Sequence, residues 1–148
     1  MRSLRRFLLL TLFLSAAVLP GGLLLAETKH ATKEEAQAMA NKAADFLQKE
    51  GPDKAFAAFN KGDEWRDRDL YVFVIHKTGI WRATPMRPED IGTKRDLDKP
   101  DVQAILAIDK SGWVDYKFKS PADNQEHDKS SYIVRVGDFL VGVGAYKY

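Results

Sequence analysis

The sequence predicts an α+β domain in which N-terminal helices pack on one face of a five-stranded antiparallel sheet. Three observations lead there. Apolar residues recur at spacings of three and four from Ala36 to Leu47, and the pattern changes to period two from Leu70 onward. Two helical segments precede five strand segments, an order that segregates the helices to one side of a sheet. Tight turns join the first strand to the second and the fourth to the fifth, which makes those pairs antiparallel.

Each element has its own signals. Thr32 and Glu35 form a capping box that starts the first helix, and Gly51-Pro52 stops it. Its apolar stripe is Ala36, Met39, Ala40, Ala43, Phe46 and Leu47, with a polar opposite face. Residues 53–60 read as a short second helix presenting Phe56 and Phe59 and ending near Gly62. The segment EWRDRD, 64–69, reads as a solvated mixed-charge loop. LYVFVI, 70–75, is a buried strand, apolar on both faces, so both faces need cover: the first helix on one, the later loop region on the other. His76-Lys77-Thr78-Gly79 turns the chain into IWRAT, 80–84. Residues 85–100 form a loop with three prolines and Gly92, and 101–108 contribute one or two helical turns. Strands follow at 112–119, 130–136 and 139–146, the last two joined through Gly137-Asp138.

A chain of 148 residues fits one domain. Its first 26 residues have the layout of a secretory signal peptide: Arg2, Arg5 and Arg6, then an apolar run, then a small residue at Ala26. The alternative is an uncleaved anchor over residues 7–26, although Pro20-Gly21-Gly22 would break such a helix. Three of the 23 basic residues and none of the 21 acidic ones precede residue 27, so the remainder carries 20 against 21. The apparent basicity belongs to the leader, and nothing points to nucleic acid. Cysteine is absent, so an exported chain would depend on its packed core and has no thiolate chemistry. These features place the mature domain, 27–148, in the bacterial periplasm.

Catalytic and metal motifs are lacking. The spacings of His30, His76 and His127 match no metal-ligand pattern. Asp96, Asp98 and Asp101 lack the glycine and terminal glutamate of a calcium loop. Gly142-Val143-Gly144 has no helix after it and is no dinucleotide fingerprint; glycines in a strand mark a bulge or a close backbone approach. The expectation is therefore no enzyme, no catalytic residue, no metal and no cofactor.

Taken in order, KAFAAFN (54–60), DLYVFVIHKTG (69–79), TPMRPEDIGT (84–93), DLDKPD (96–101), GWVDYKFKSP (112–121) and KSSYIVRVGDFLVGVGAY (129–146) resemble a single-Cache domain, the extracytoplasmic relative of the PAS fold. The resemblance implies a sensor module that holds a small molecule, often an organic acid, over one face of its sheet. It also implies a signalling partner, here a separate membrane receptor or histidine kinase. The chain departs from the family pattern at Ala83-Thr84-Pro85, where Ala-His-Pro is usual, and at His76, where an Asp is usual. Those departures leave a second reading open: a structural or interaction protein that kept the fold and lost the ligand.

The candidate ligand-binding residues are Arg82, Thr84, Met86, Tyr71, Tyr116, Trp113, Lys129 and Tyr132. Arg82 has the fork to clamp a carboxylate, or it is a solvent-facing residue of a hairpin. Strand alternation sets it with Ile80 and Thr84, opposite Trp81 and Ala83. Met86, with Ile91 and Gly92, belongs to the proline-rich loop that walls the pocket in the family. Tyr71 is a core residue or a contact. Lys129 reads as an exposed turn lysine, or as an anion partner beside a hydrogen-bonding Tyr132. Alternation puts Val114, Tyr116 and Phe118 on one face of their strand and Trp113, Asp115, Lys117 and Lys119 on the other. That leaves Tyr116 as the pocket candidate, with Trp113 behind it, on an edge strand protected by its lysines and Pro121.

Overall fold

The computed structural model describes residues 29–148. The expected leader and cleavage site lie outside the described residues. No helix within them is long and apolar enough to cross a membrane.

Helix α1 (Lys33–Glu50) begins with the expected capping box. The Glu35 N–H donates to the Thr32 hydroxyl at 3.2 Å, and the Thr32 N–H donates to the Glu35 carboxylate at 2.7 Å. Its buried stripe is mostly alanine (Ala36, Ala40, Ala43, Ala44, with Leu47), so the helix lies close to the sheet beneath it. Gly51, at φ 83°, ends α1 and admits the immediate start of α2 (Pro52–Lys61). Phe59 of α2 is fully buried, and Phe56 packs edge-on against Phe139.

The EWRDRD segment is only partly solvated: Glu64, Arg66 and Asp67 are exposed, but Trp65 and Asp69 are buried. A 3-10 turn, Asp63–Trp65, leads into a two-residue strand β1 (Arg66–Asp67). Trp65 is buried against Phe46 and Phe59, at 5.0 and 4.9 Å between ring centroids. Asp69 is buried and accepts hydrogen bonds from the Ala31 N–H at 2.9 Å and the Tyr148 hydroxyl at 3.0 Å. Arg68 bridges Glu35 and Asp67. A charge-rich string looks solvated until distant partners satisfy its charges; here α1 and the C-terminal residue supply them.

The remaining strands are β2 (Leu70–His76), β3 (Trp81–Ala83), β4 (Ser111–Lys119), β5 (Glu126–Val136) and β6 (Phe139–Lys147). All pairings are antiparallel, in the order β1-β2-β6-β5-β4, with β3 also on β2. The sheet thus has six strands, the predicted five plus short β1. The last strand, β6, sits between β2 and β5, and β4 is an edge, as its lysines suggested. Helix α3 (Pro100–Leu106) follows the proline-rich loop. Ile91 of that loop is exposed.

Two apolar layers flank the sheet. Val72, Val74, Ala83, Val141, Val143 and Ala145 face the helices. Tyr71, Phe73, Ile75, Trp81, Val114, Ile133, Leu140 and Tyr146 face the other way, under α3 and the loop. The expected alternation fails at β3. Its register shifts between Val74 and Ile75, so Ala83 pairs with Val74 and Trp81 with Ile75. This bulge puts Trp81 and Ala83 in opposite layers and makes Arg82 the extra residue between them.

Candidate ligand cleft and its buried lysine

The face away from α1 and α2 is only partly covered. Between the sheet, the 85–100 loop and α3 lies a cleft of about 1140 Å³. Tyr71, Met86, Arg95, Asp101, Tyr116 and Phe118 are among its lining residues. Arg95 is held in place on two sides. It pairs with Asp101 at 2.7 Å, and its guanidinium lies 4.9 Å from the Trp81 ring centroid. Met86 packs against the same apolar layer.

Lys129 lies behind the floor formed by Tyr71, Tyr116 and Phe118. It is 2 % exposed, in mid-strand β5, opposite Tyr116 of β4 and Tyr146 of β6. Its Nζ donates to the Tyr71 hydroxyl at 2.9 Å, and that hydroxyl is 3.2 Å from the Tyr146 hydroxyl. Tyr146 in turn donates to the Lys119 carbonyl at 2.9 Å. The Tyr116 hydroxyl shares a 2.8 Å hydrogen bond with Ser131. Among the described residues no carboxylate forms an ion pair with Lys129. The glycines of β6 make room for this arrangement. A Cβ on Gly142 would overlap the Phe73 ring, and one on Gly144 would overlap Lys129 Cε and Ser131 Oγ. The glycine pair thus marks a close approach, one of the two meanings its sequence suggested.

The electrostatics follow from burial. Desolvation opposes the Lys129 ammonium, but the surrounding tyrosines and the bond to Tyr71 outweigh it, so its pKa stands above the ordinary lysine value. Burial pushes the Tyr116 hydroxyl up, against the pull of Lys129. Tyr146 is raised as well, by burial first and then by Tyr71.

No protein-family model and no curated protein matches the sequence. The fold does have solved counterparts. A methyl-accepting chemotaxis protein from Vibrio parahaemolyticus superposes at TM-score 0.62 with 16 % identity, over 77 % of this chain and 87 % of that one. A Cache chemosensory domain, described for carboxylic acid recognition, gives 0.59 with 16 % identity, over 78 % and 92 %. The periplasmic sensor domain of a chemotaxis protein gives 0.56 with 22 % identity, over 78 % and 90 %. The chain has the Cache fold. Helices on one face of an antiparallel sheet, with the second face left for a cleft, are the arrangement that the sequence resemblance implied.

Within this Cache fold the candidate residues divide by face. Tyr71, Met86 and Tyr116 line the cleft, and Lys129 stands behind its floor. The reading of Lys129 as an exposed turn residue is corrected: β5 starts at Glu126, so position 129 is well inside the strand. Trp113 and Tyr132 pack on the opposite, helix-facing layer, 5.1 Å apart, with Lys33 of α1 over the Trp113 ring at 4.3 Å. Even spacing puts Tyr132 with Ser130 and Lys129 with Ser131, so Lys129 and Tyr132 do not act together. Thr84 is buried, and its N–H donates to Asn60 of α2 at 2.9 Å. Arg82 is held at its carbonyl by the same Asn60, at 3.1 Å, and is not among the residues lining the cleft; its buried Nε has no hydrogen-bond partner among the described residues. Arg95, Asp101 and Phe118 are cleft residues that the candidate set lacked. Phe118 was readable from alternation as a neighbour of Tyr116. Arg95 was not, since TKRDLDKPD has no periodicity to single out one charge.

Proposed function

We propose that this protein is an extracytoplasmic sensor module that binds a small organic acid in the Cache cleft and passes the signal to a separate membrane partner. Lys129 carries the reading. A buried ammonium with no carboxylate partner among the described residues, and with donors beyond the one given to Tyr71, is complementary to an anion. Tyr71 and Tyr116 line the cleft floor in front of it, and Arg95 adds a second cation on the wall. Support from outside the chain is the similarity to a Cache domain described for carboxylic acid recognition and to a periplasmic sensor domain of a chemotaxis protein. In this reading the ligand acts by binding one conformation of the loop, α3 and the sheet better than another, and the partner reads the shift. No residue is assigned a catalytic role. The periplasm is the proposed location, and the membrane partner is of the receptor or histidine kinase type.

The test is thermal unfolding with a panel of small mono- and dicarboxylates. A ligand at 100 times its Kd stabilises by about 2.7 kcal/mol, a readily measured shift. If no member of the panel stabilises the protein at millimolar concentration, the reading fails. The alternative, a Cache-fold interaction protein without a ligand, rests on Thr84: where the family pattern has a histidine, this chain buries a threonine against Asn60. It predicts partner capture that no carboxylate alters.

A further inference from the structure

Four aromatic rings surround the Lys129 ammonium. Its Nζ is 4.3 Å from the Tyr71 ring centroid, 4.7 Å from Tyr146, 5.2 Å from Phe118 and 5.5 Å from Phe73. Rings from β2, β4 and β6 converge on a side chain from β5. All four distances fall within the range over which a ring face attracts a cation such as a lysine ammonium, and aromatic boxes of this kind also recognise quaternary ammonium ligands. Here the box is already occupied by the protein itself.

We infer that Tyr71, Phe73, Phe118 and Tyr146 form an ammonium-binding cage that the protein fills with its own Lys129, and that Lys129 thereby sets the cleft against ligands carrying an amino group. The geometry gives two reasons. First, a ligand ammonium finds its aromatic site taken and meets a like charge behind the cleft floor. Second, the cleft offers it little else: Asp101 is held by Arg95 at 2.7 Å, and Asp115 accepts the Ser130 hydroxyl. Glu89 and Glu126 are exposed at the rim. The space is also specific to lysine. Bare Gly144 lets the aliphatic stem lie across β6, so the charge reaches β2 without displacing a ring.

The cage can be tested by emptying it. Lys129→Ala leaves the rings and removes the tethered ammonium. Ethylammonium chloride at tens of millimolar is expected to raise its melting temperature by about 3 °C or more over sodium chloride at equal ionic strength. The wild type, and Lys129→Met with the cage filled by an uncharged chain, are expected to show no such difference. Equal response of Lys129→Ala to the two salts, or a response of Lys129→Met matching that of Lys129→Ala, overturns the cage. So does a Lys129→Ala protein that stays unfolded with ethylammonium present. A second arm rests on the carboxylate reading: the wild type should bind propionate at least about tenfold more tightly than alanine, which differs by one amino group. Parity overturns the selectivity. Binding of neither removes the proposed function, and the rescue arm, which needs no carboxylate, then decides the cage alone.

Discussion

The Lys129 ammonium and the Tyr71 hydroxyl stand 2.9 Å apart although their strands are not neighbours: β6 runs between β5 and β2. The contact exists because Gly144 leaves the middle strand bare where the lysine crosses it. One buried charge therefore joins three strands, and its loss should be felt in both stability and binding.

Gly144→Ala should destabilise the domain by about 1–3 kcal/mol, since the new methyl overlaps Lys129 and Ser131 in a packed layer. Urea denaturation measures it. Combined with Lys129→Ala, the cost should be clearly less than the sum of the two, because the first substitution intrudes on the side chain the second removes. Strict additivity would show that the crossing does not matter.

Tyr71→Phe keeps a ring of the cage and removes only the hydroxyl. It leaves a buried ammonium donor unsatisfied and breaks the contact to Tyr146, at an expected cost of about 1–3 kcal/mol. Denaturant midpoints at neutral pH test this. A change of under about half a kilocalorie per mole would mean that water replaces the hydroxyl.

Arg95→Ala and Arg82→Ala should part company. Arg95 lines the cleft and Arg82 does not, so the first should weaken carboxylate binding about tenfold or more and the second should leave it within about twofold. Calorimetric titration of both variants decides it. A larger loss from Arg82→Ala would return that residue to the site. Trp113→Ala, on the helix-facing layer, should likewise spare binding while costing stability.

Alkaline pH should weaken the fold through its tyrosines. Burial pushes Tyr148 up to about 12; Ser120 opposes the shift and the adjacent Asp69 carboxylate adds to it. Tyr116 is raised by its own burial. Between the unfolded tyrosine value, about 10, and these raised values, the folded state keeps protons that the unfolded state has lost. The stabilisation is complete below about pH 10 and is lost as pH rises through the folded values. Denaturation midpoints followed from about pH 9 to 12 should therefore fall, and fall less steeply in Tyr148→Phe. Identical slopes would remove Tyr148 from the account.

Thr32→Ala should cost about 1 kcal/mol by opening the capping box of α1. A loss this size in urea denaturation, with carboxylate binding unchanged, would separate the scaffold's helix start from the cleft. An unchanged midpoint would mean that the Arg68–Glu35 pair holds the helix end without the cap.

Much of this fold is local and was therefore readable. The Thr32 cap, the alanine stripe of α1, the break at Gly51-Pro52 and the period-two strands depend on neighbours within a few residues. The facing of β4 followed from alternation alone: Val114, Tyr116 and Phe118 lie in one layer and Trp113 in the other. Alternation misled only at β3, because a bulge belongs to a strand pair, and Arg82 is extra only relative to Val74 and Ile75. EWRDRD misled for a related reason. Whether a charge is solvated depends on who arrives to meet it, and Asp69 is met by Ala31 and Tyr148, far away in the chain.

The amino-acid order alone determined the helix caps, the turns and the face of each regular strand residue, because these are set by φ, ψ preferences and by periods of 3.6 and 2. The tertiary structure decided what the cleft is made of. Lys129 is a turn lysine or a caged cation according to whether Tyr71, Phe73, Phe118 and Tyr146 surround it. Those rings come together only because β6, with its two bare glycines, is inserted between β2 and β5. Burial of a charge is a property of the assembled surroundings, and strand order, which no local pattern encodes, assembles them.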